Sequence, residues 1–242
     1  MLRASPLLAT VPGLAHGFTT RQGPAGTDPA RGLDLGVDAP AERWAWVAAQ
    51  AGLPGASVAR LSQVHGARVH HAGGAGLVGE GDAFWTEQAG LLLAIRVADC
   101  VPVLLVDLDE GGRPARVAAA HAGWRGVAAQ VVPATLDALG PWSGRRLATV
   151  GPCIGVDAYE VGVEVVEGIG AVVPTEVFLR PGRRPERWQV DLRAAVAWQL
   201  QRGGVDQVEV LPDCTFSDPL LHSHRRDAAG AGRLAAVIGR TP

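Results

Sequence analysis

The sequence predicts a single α+β domain spanning residues 1–242, and three observations carry that prediction. Ten strand-like apolar runs follow one another with only four helical patterns among them, which favours mixed sheets over a regular βαβ alternation. The chain has 242 residues, 48% hydrophobic and 19% charged, enough to bury a substantial core and far from the composition of a disordered chain. No internal repeat and no long linker divides it.

In chain order, the strand-like runs are "HGFTT", "SVARLSQVHG", "ARVHHA", "DAFWTE", "LLLAIRVA", "VPVLLVDL", "ARVAAAHAG", "RLATVG", "VEVLP" and "RLAAVIG". Each contains valine, leucine, isoleucine or an aromatic residue. Helical spacing appears in "PAERWAWVAAQAG", "GVAAQVVPATLDALG", "YEVGVEVVEGIG" and "DLRAAVAWQLQRGG". Pro133 should kink or split the second of these. Asp191 suits the N-cap of the fourth and Gly203 its C′ position. "PGRRPERW", residues 181 to 188, reads as a surface loop.

Composition excludes several functions. The net charge of −2 gives no polybasic footprint for nucleic acid or an anionic membrane. No apolar run approaches the roughly 20 residues of a membrane span. The first residues, broken by Pro6 and Pro12, read as mature protein and not as a signal peptide. All 22 basic residues are arginine, so there is no Walker lysine and no Schiff-base lysine. Asparagine is absent too, which excludes a Cys-His-Asn triad. Cys100, Cys153 and Cys214 are too few and scattered for a disulfide scaffold, and they point to a reducing cytoplasm. Monomer and homodimer both remain open.

"VPVLLVDL" and "ARVAAAHAG", joined by "DEGGRP", form a hairpin signal. A turn centred near Gly111 sets Asp107 opposite Ala115, Val103 opposite Ala119 and Val101 opposite His121. Cys100 and His121 then share the open end of the hairpin, at a spacing that suits a thiolate and an imidazole on one zinc. His65 ends another strand-like run directly before Gly66, much as His121 stands two residues before Gly123. His65, Cys100 and His121, with 34 and 20 residues between them, lack the short clips of structural zinc modules and suit a catalytic site with an open position. Other readings stand beside this one. Cys100 can be a nucleophile with His121 as its base. A metal that only fixes the fold would call for four protein ligands. A copper oxidase would call for many more histidines than the seven here.

The motifs "HGFTTRQG", "SQVHG", "GDAFWT", "ADCVPVLL", "HAGWRG", "GPCIG", "YEVG" and "HRRD" occur in order across nearly the whole chain. Together they resemble a family once described as multicopper polyphenol oxidases or laccase-domain proteins, and now as purine nucleoside phosphorylases. The resemblance implies zinc held by His65, Cys100 and His121, and a four-layer α/β/β/α sandwich. It also implies phosphorolysis of adenosine, guanosine, inosine and methylthioadenosine, with deamination of adenosine. Some bacterial members resemble an editing factor that removes misplaced L-serine from cell-wall precursors. The chain departs from the usual pattern at "LHSHRRD", in place of a more aromatic stretch, and at "GVDAYEVG", where a second cysteine often precedes the tyrosine.

That chemistry needs a proton shuttle and a phosphate pocket. Asp99 and Asp82, beside the motifs, are the shuttle candidates, although either also suits a turn carboxylate. Arginine must hold phosphate, and its planar fork fits phosphate oxygens. Arg125 precedes a predicted helix, Arg21 lies in a glycine-containing loop, and Arg225 and Arg226 follow; a surface ion pair is the alternative for each. Trp124 suits purine stacking or packing. His70, His71, His222 and His224 are spare ligands at most, and Cys153 and Cys214 read as small buried residues.

Overall fold

The computed structural model describes residues 2–28 and 31–242. Among these, the strands gather into two six-stranded sheets and a small three-stranded one. The first sheet runs Leu2–Arg3, Leu14–Thr19, Leu234–Arg240, Leu91–Val97, Ser57–Ser62 and Gly76–Glu80. It is antiparallel as far as Leu91–Val97 and parallel beyond. The second runs Gln207–Val210, Arg145–Val150, Val101–Leu108, Pro114–Ala122, Ala83–Thr86 and Val69–His71. Its middle is antiparallel and both its edges pair in parallel.

Near-continuous apolar strands follow from this stacking, because a strand covered on both faces buries every side chain. Leu91, Leu93 and Ile95 share one core with Leu104, Val106 and Leu108, so the sheets pack face to face. The alternate residues Leu92 and Ala94 turn outward onto Trp44, Val47 and Ala48 of the Ala41–Gln50 helix. Val101, Val103 and Leu105 turn the other way, onto Val127, Val131, Leu136 and Val196 of the Trp124–Ala128, Val131–Leu139 and Leu192–Arg202 helices. Helix, sheet, sheet, helix is the four-layer arrangement expected.

All ten anticipated strands form. The unanticipated ones, Leu2–Arg3, Gly76–Glu80, Glu160–Val161, Leu179–Pro181 and Trp188–Val190, are short, and the first two lie at sheet edges where apolar alternation is not needed. The second helical pattern does split, but at Gln130, whose φ of 63° is left-handed. Pro133 sits in the first turn of the second piece, where a missing N–H matters little. Asp191 caps the Leu192–Arg202 helix by accepting from Ala194 N–H at 3.0 Å. The left-handed residue after that helix is Gly204, φ 77°, and not Gly203. "YEVGVEVVEGIG" is helical only over Val163–Gly170.

The hairpin register differs from the expectation by one. Leu108 lies opposite Pro114, but the register shifts between Asp107 and Leu108. Beyond that bulge Asp107 faces Arg116, Val103 faces Ala120, Val101 faces Ala122, and Pro102 faces His121. A turn-centred count cannot foresee a bulge. Asp107, buried in the ladder, accepts from Arg146 Nε at 2.6 Å and from Arg116 Nε at 2.9 Å.

Candidate metal centre

The chain crosses from the first sheet to the second through Ala98-Asp99-Cys100, between Leu91–Val97 and Val101–Leu108. That crossover explains why a carboxylate and a thiol interrupt an apolar run. Asp99 makes the turn with a left-handed φ of 87°, a conformation that Asp tolerates better than most residues. His121 arrives from Pro114–Ala122 in the second sheet. His65 comes from the turn after Ser57–Ser62 in the first, also left-handed, with φ 61°.

The three ligand atoms lie within 4.8 Å of one another. Cys100 Sγ is 3.9 Å from His65 Nε2, and the two imidazoles meet edge to face with centroids 4.8 Å apart. Gly123 opens the space for them. A Cβ there would stand 2.9 Å from Cys100 Sγ and 3.0 Å from His65 Cδ2.

Asp82 organises the cluster from behind. Its fully buried carboxylate accepts from His121 Nδ1 at 2.8 Å, leaving Nε2 to face the other donors. The same carboxylate accepts from the main-chain N–H groups of Val64 (3.2 Å), His65 (2.9 Å) and Gly66 (2.7 Å), fixing the strained turn that carries His65. Burial raises its proton affinity, but the His121 and main-chain hydrogen bonds outweigh that and hold it below the ordinary carboxylate value. Burial likewise opposes ionisation of Cys100, yet the His121 and His65 imidazoles bring its thiol down to about 6. Burial disfavours a charged His121, but the Cys100 sulfur and Asp82 raise it to about 9. Both shifts run toward a thiolate–imidazolium pair braced by the Asp82 carboxylate.

Two cavities share this cluster as a wall. The larger, about 560 Å³, is lined by all three cluster residues with Gln63, Arg96, Arg233 and Asp34. The smaller, about 210 Å³, is lined by His65 and Cys100 with Asp99, Trp124, Arg125, Tyr159 and Arg225. Arg125 lies over the Trp124 ring at 4.3 Å and Arg225 over Tyr159 at 5.2 Å. His224 lines both cavities.

Asp99 therefore stands in the wall of the smaller cavity, but both of its oxygens are engaged. Oδ1 accepts from Thr215 Oγ1 at 2.6 Å and Oδ2 from Arg225 N–H at 2.6 Å. Arg21 is not among the residues lining either cavity. Its main chain bonds Leu220 and Leu33, and its charge lies near His222 and Asp227. Arg226 pairs with Asp227 and donates to the carbonyls of Thr215, Phe216, Asp218 and Leu221, a loop-bracing role. Neither the other histidines nor Cys153 and Cys214 join the ligand cluster among the described residues. His70 bonds the Glu80 carbonyl, His71 pairs with Glu87, and His222 bonds the Leu33 carbonyl. Burial pushes Cys153 up to about 12, with Arg193 only partly offsetting it. Arg96 and Arg233 were not foreseen, although an arginine inside the apolar run "LLLAIRVA" is a signal that the strand meets a polar space.

Residues 15–241 match the family model described as multi-copper polyphenol oxidoreductase laccase. A Deinococcus radiodurans protein named purine nucleoside phosphorylase is 40% identical over 244 residues, covering 97% of this chain and 92% of that one. A Streptomyces coelicolor protein of the same name is 37% identical over 241 residues, covering 95% and 96%. Among solved structures, a Neisseria meningitidis protein superposes with a TM-score of 0.81 at 30% identity, covering 100% of this chain and 99% of that one. YlmD from Geobacillus stearothermophilus gives 0.83 at 28% identity, covering 98% and 94%.

Proposed function

The chain belongs to the multi-copper polyphenol oxidoreductase laccase family, and from that premise we propose that it is a zinc-dependent purine nucleoside phosphorylase. Its substrates are adenosine, guanosine, inosine and methylthioadenosine, and it also deaminates adenosine. One observation carries the reading: His65, Cys100 and His121 converge beside two cavities, a larger one lined by all three with Arg96 and Arg233, and a smaller one lined by His65 and Cys100 with Trp124, Tyr159, Arg125 and Arg225. The names of the relatives support the same substrate class.

The donor set fits zinc. One thiolate and two imidazoles suit a borderline-soft cation and leave a coordination position open. Gly123 clears the space, and Asp82 orients His121 as an outer carboxylate does in zinc sites. A single three-donor cluster among the described residues does not provide for several coppers. When bound, zinc supplies a Lewis acid and a source of hydroxide at neutral pH.

The protein's own groups do the rest. In this reading Trp124 and Tyr159 flank the base in the smaller cavity, whose wall Arg125 and Arg225 also line, each over one of the rings. Asp99 acts as a positioning residue that ties the His224–Asp227 helix to the cavity wall. In phosphorolysis a phosphate oxygen bonds to C1′ as the C1′–N9 bond breaks, and the purine leaves with a proton from solvent. In deamination water adds at C6 and ammonia leaves. A reducing cytoplasm suits a site that depends on a free thiolate.

A second reading has a specific observation behind it. Cys100, His121 and Asp82 stand in the order nucleophile, base and orienting carboxylate, with the thiol brought down to about 6. The convergence of His65 on the same sulfur favours the metal. The test is product analysis of zinc-loaded protein with adenosine, with and without phosphate, beside His121→Ala. Phosphate-dependent adenine, together with inosine, formed by wild type alone supports the proposal. Absence of product despite bound zinc overturns it and directs attention to cell-wall precursors. Turnover that survives removal of the metal but not Cys100 alkylation favours the hydrolase.

A further inference from the structure

We propose that Arg96 and Arg233 form a phosphate subsite on the wall of the larger cavity, in the chamber that lacks Trp124 and Tyr159. The inference rests on the phosphorylase reading for its role, though not for its geometry. Arg96 is the one charged residue of the Leu91–Val97 strand and is half-buried. Its main chain is clamped on both sides by the Gln63 amide, with Arg96 N–H donating to Gln63 Oε1 at 2.8 Å and Gln63 Nε2 donating to the Arg96 carbonyl at 2.7 Å. Its guanidinium reaches the Leu61 carbonyl at 3.2 Å. Arg233 donates through Nη1 to the carbonyls of Ala231 and Gly232.

Neither guanidinium forms an ion pair among the described residues. Asp34, the carboxylate on the same wall, is engaged through Oδ1 by the main-chain N–H groups of Gly36 and Arg233. Arg60 adds a third positive charge nearby, stacked on Trp44. Burial, and then repulsion from Arg60 and Arg233, lowers the proton affinity of Arg96. Like charges drawn partly out of water without counterions are unfavourable, and a bound anion relieves that. Two guanidinium groups on the wall of a cavity of about 560 Å³ match a phosphate dianion in charge and in hydrogen-bonding chemistry. With the cluster on the same wall, a phosphate held there stands in the chamber into which His121 opens.

Inorganic phosphate and the phosphoryl group of a nucleotide share this chemistry, so both are probes. Thermal shift is measured with phosphate or with adenosine monophosphate on wild type, Arg96→Gln, Arg233→Gln and the charge-preserving Arg96→Lys. Phosphate KM and nucleoside KM are then measured separately. The proposal expects saturable stabilisation of wild type by inorganic phosphate, and affinity lower by about tenfold to a hundredfold in either Gln variant. Phosphate KM rises in parallel while nucleoside KM moves by less than about twofold, and Arg96→Lys falls between. Wild-type phosphate affinity in both Gln variants overturns the subsite and leaves the phosphorylase reading intact. Arginine-dependent phosphate binding without any sugar phosphate product overturns that reading and leaves the subsite. Binding of the nucleotide alone overturns the co-substrate role.

Discussion

Replacing Asp82 by Asn separates the support of the candidate metal centre from its proposed ligands. The carboxylate accepts four hydrogen bonds, from His121 Nδ1, Val64 N–H, His65 N–H and Gly66 N–H. An amide keeps one acceptor oxygen. If it faces His121 and His65, the NH₂ group confronts the Val64 and Gly66 donors; if it is flipped, His121 and His65 lose their acceptor. Either way two of four charge-assisted bonds go, at about 1.5–3 kcal/mol each. The expected destabilisation is about 3 kcal/mol or more, or about 6–12 °C in Tm for a chain of this size. Zinc affinity falls by about 10–100-fold, because the His121 ring is no longer held. The assays are thermal unfolding of metal-free protein and a chelator competition for zinc. The pH profile provides a further check. A carboxylate whose folded proton affinity is lowered stabilises the fold above its unfolded pKa, and loses that contribution as pH falls through the folded value. Wild type should lose stability in the acid range more steeply than Asp82→Asn. A variant that unfolds within about 2 °C of wild type and holds zinc equally well would refute the argument.

Gly123→Ala should fold, since φ is −68° there, but its Cβ invades the space beside Cys100 and His65; zinc content by metal analysis falls well below one per chain, and full loading would contradict the close approach. In metal-free protein, Cys100 should react with iodoacetamide with a midpoint near pH 6, and bound zinc should protect it; a midpoint in the ordinary thiol range would refute the pairing with His121. At pH 7.5 His121 is charged and Cys100 already ionised, so calorimetry in buffers of different ionisation enthalpy should record about one proton released per zinc. Away from the site, Asp107→Ala strands Arg146 and Arg116 in the ladder and should destabilise by about 3–5 kcal/mol in denaturant unfolding without altering zinc affinity.

The layers and the His65, Cys100 and His121 cluster are legible in the sequence for different reasons. Strands covered on both faces must be apolar at nearly every position, so Leu91–Val97 and Val101–Leu108 are plain to read. Cys100 and His121 are placed together by one hairpin, a local object, and the pairing survives a register shifted by one. His65 shares only the pattern of a strand ending before glycine. What stayed hidden depends on packing between distant segments. Asp82 lies in a turn before Ala83–Thr86, and nothing local says that its carboxylate faces His121 and not the cavity. Asp99 sits beside the thiol in sequence, yet Thr215 and Arg225 occupy its oxygens. Arg125 reaches the smaller cavity and Arg21 does not line either one. Arg21 lies in a loop and Arg125 in the short Trp124–Ala128 helix, and neither carries a periodic signal to separate the two.

The central claim is that Cys100 is a metal ligand and not a packing residue or a free nucleophile. X-ray absorption at the zinc edge of the loaded protein tests it most directly. The account predicts one sulfur at about 2.3 Å and two imidazole nitrogens at about 2.0–2.1 Å, with the sulfur shell lost in Cys100→Ser. A nitrogen and oxygen shell without sulfur in the wild-type protein would contradict it.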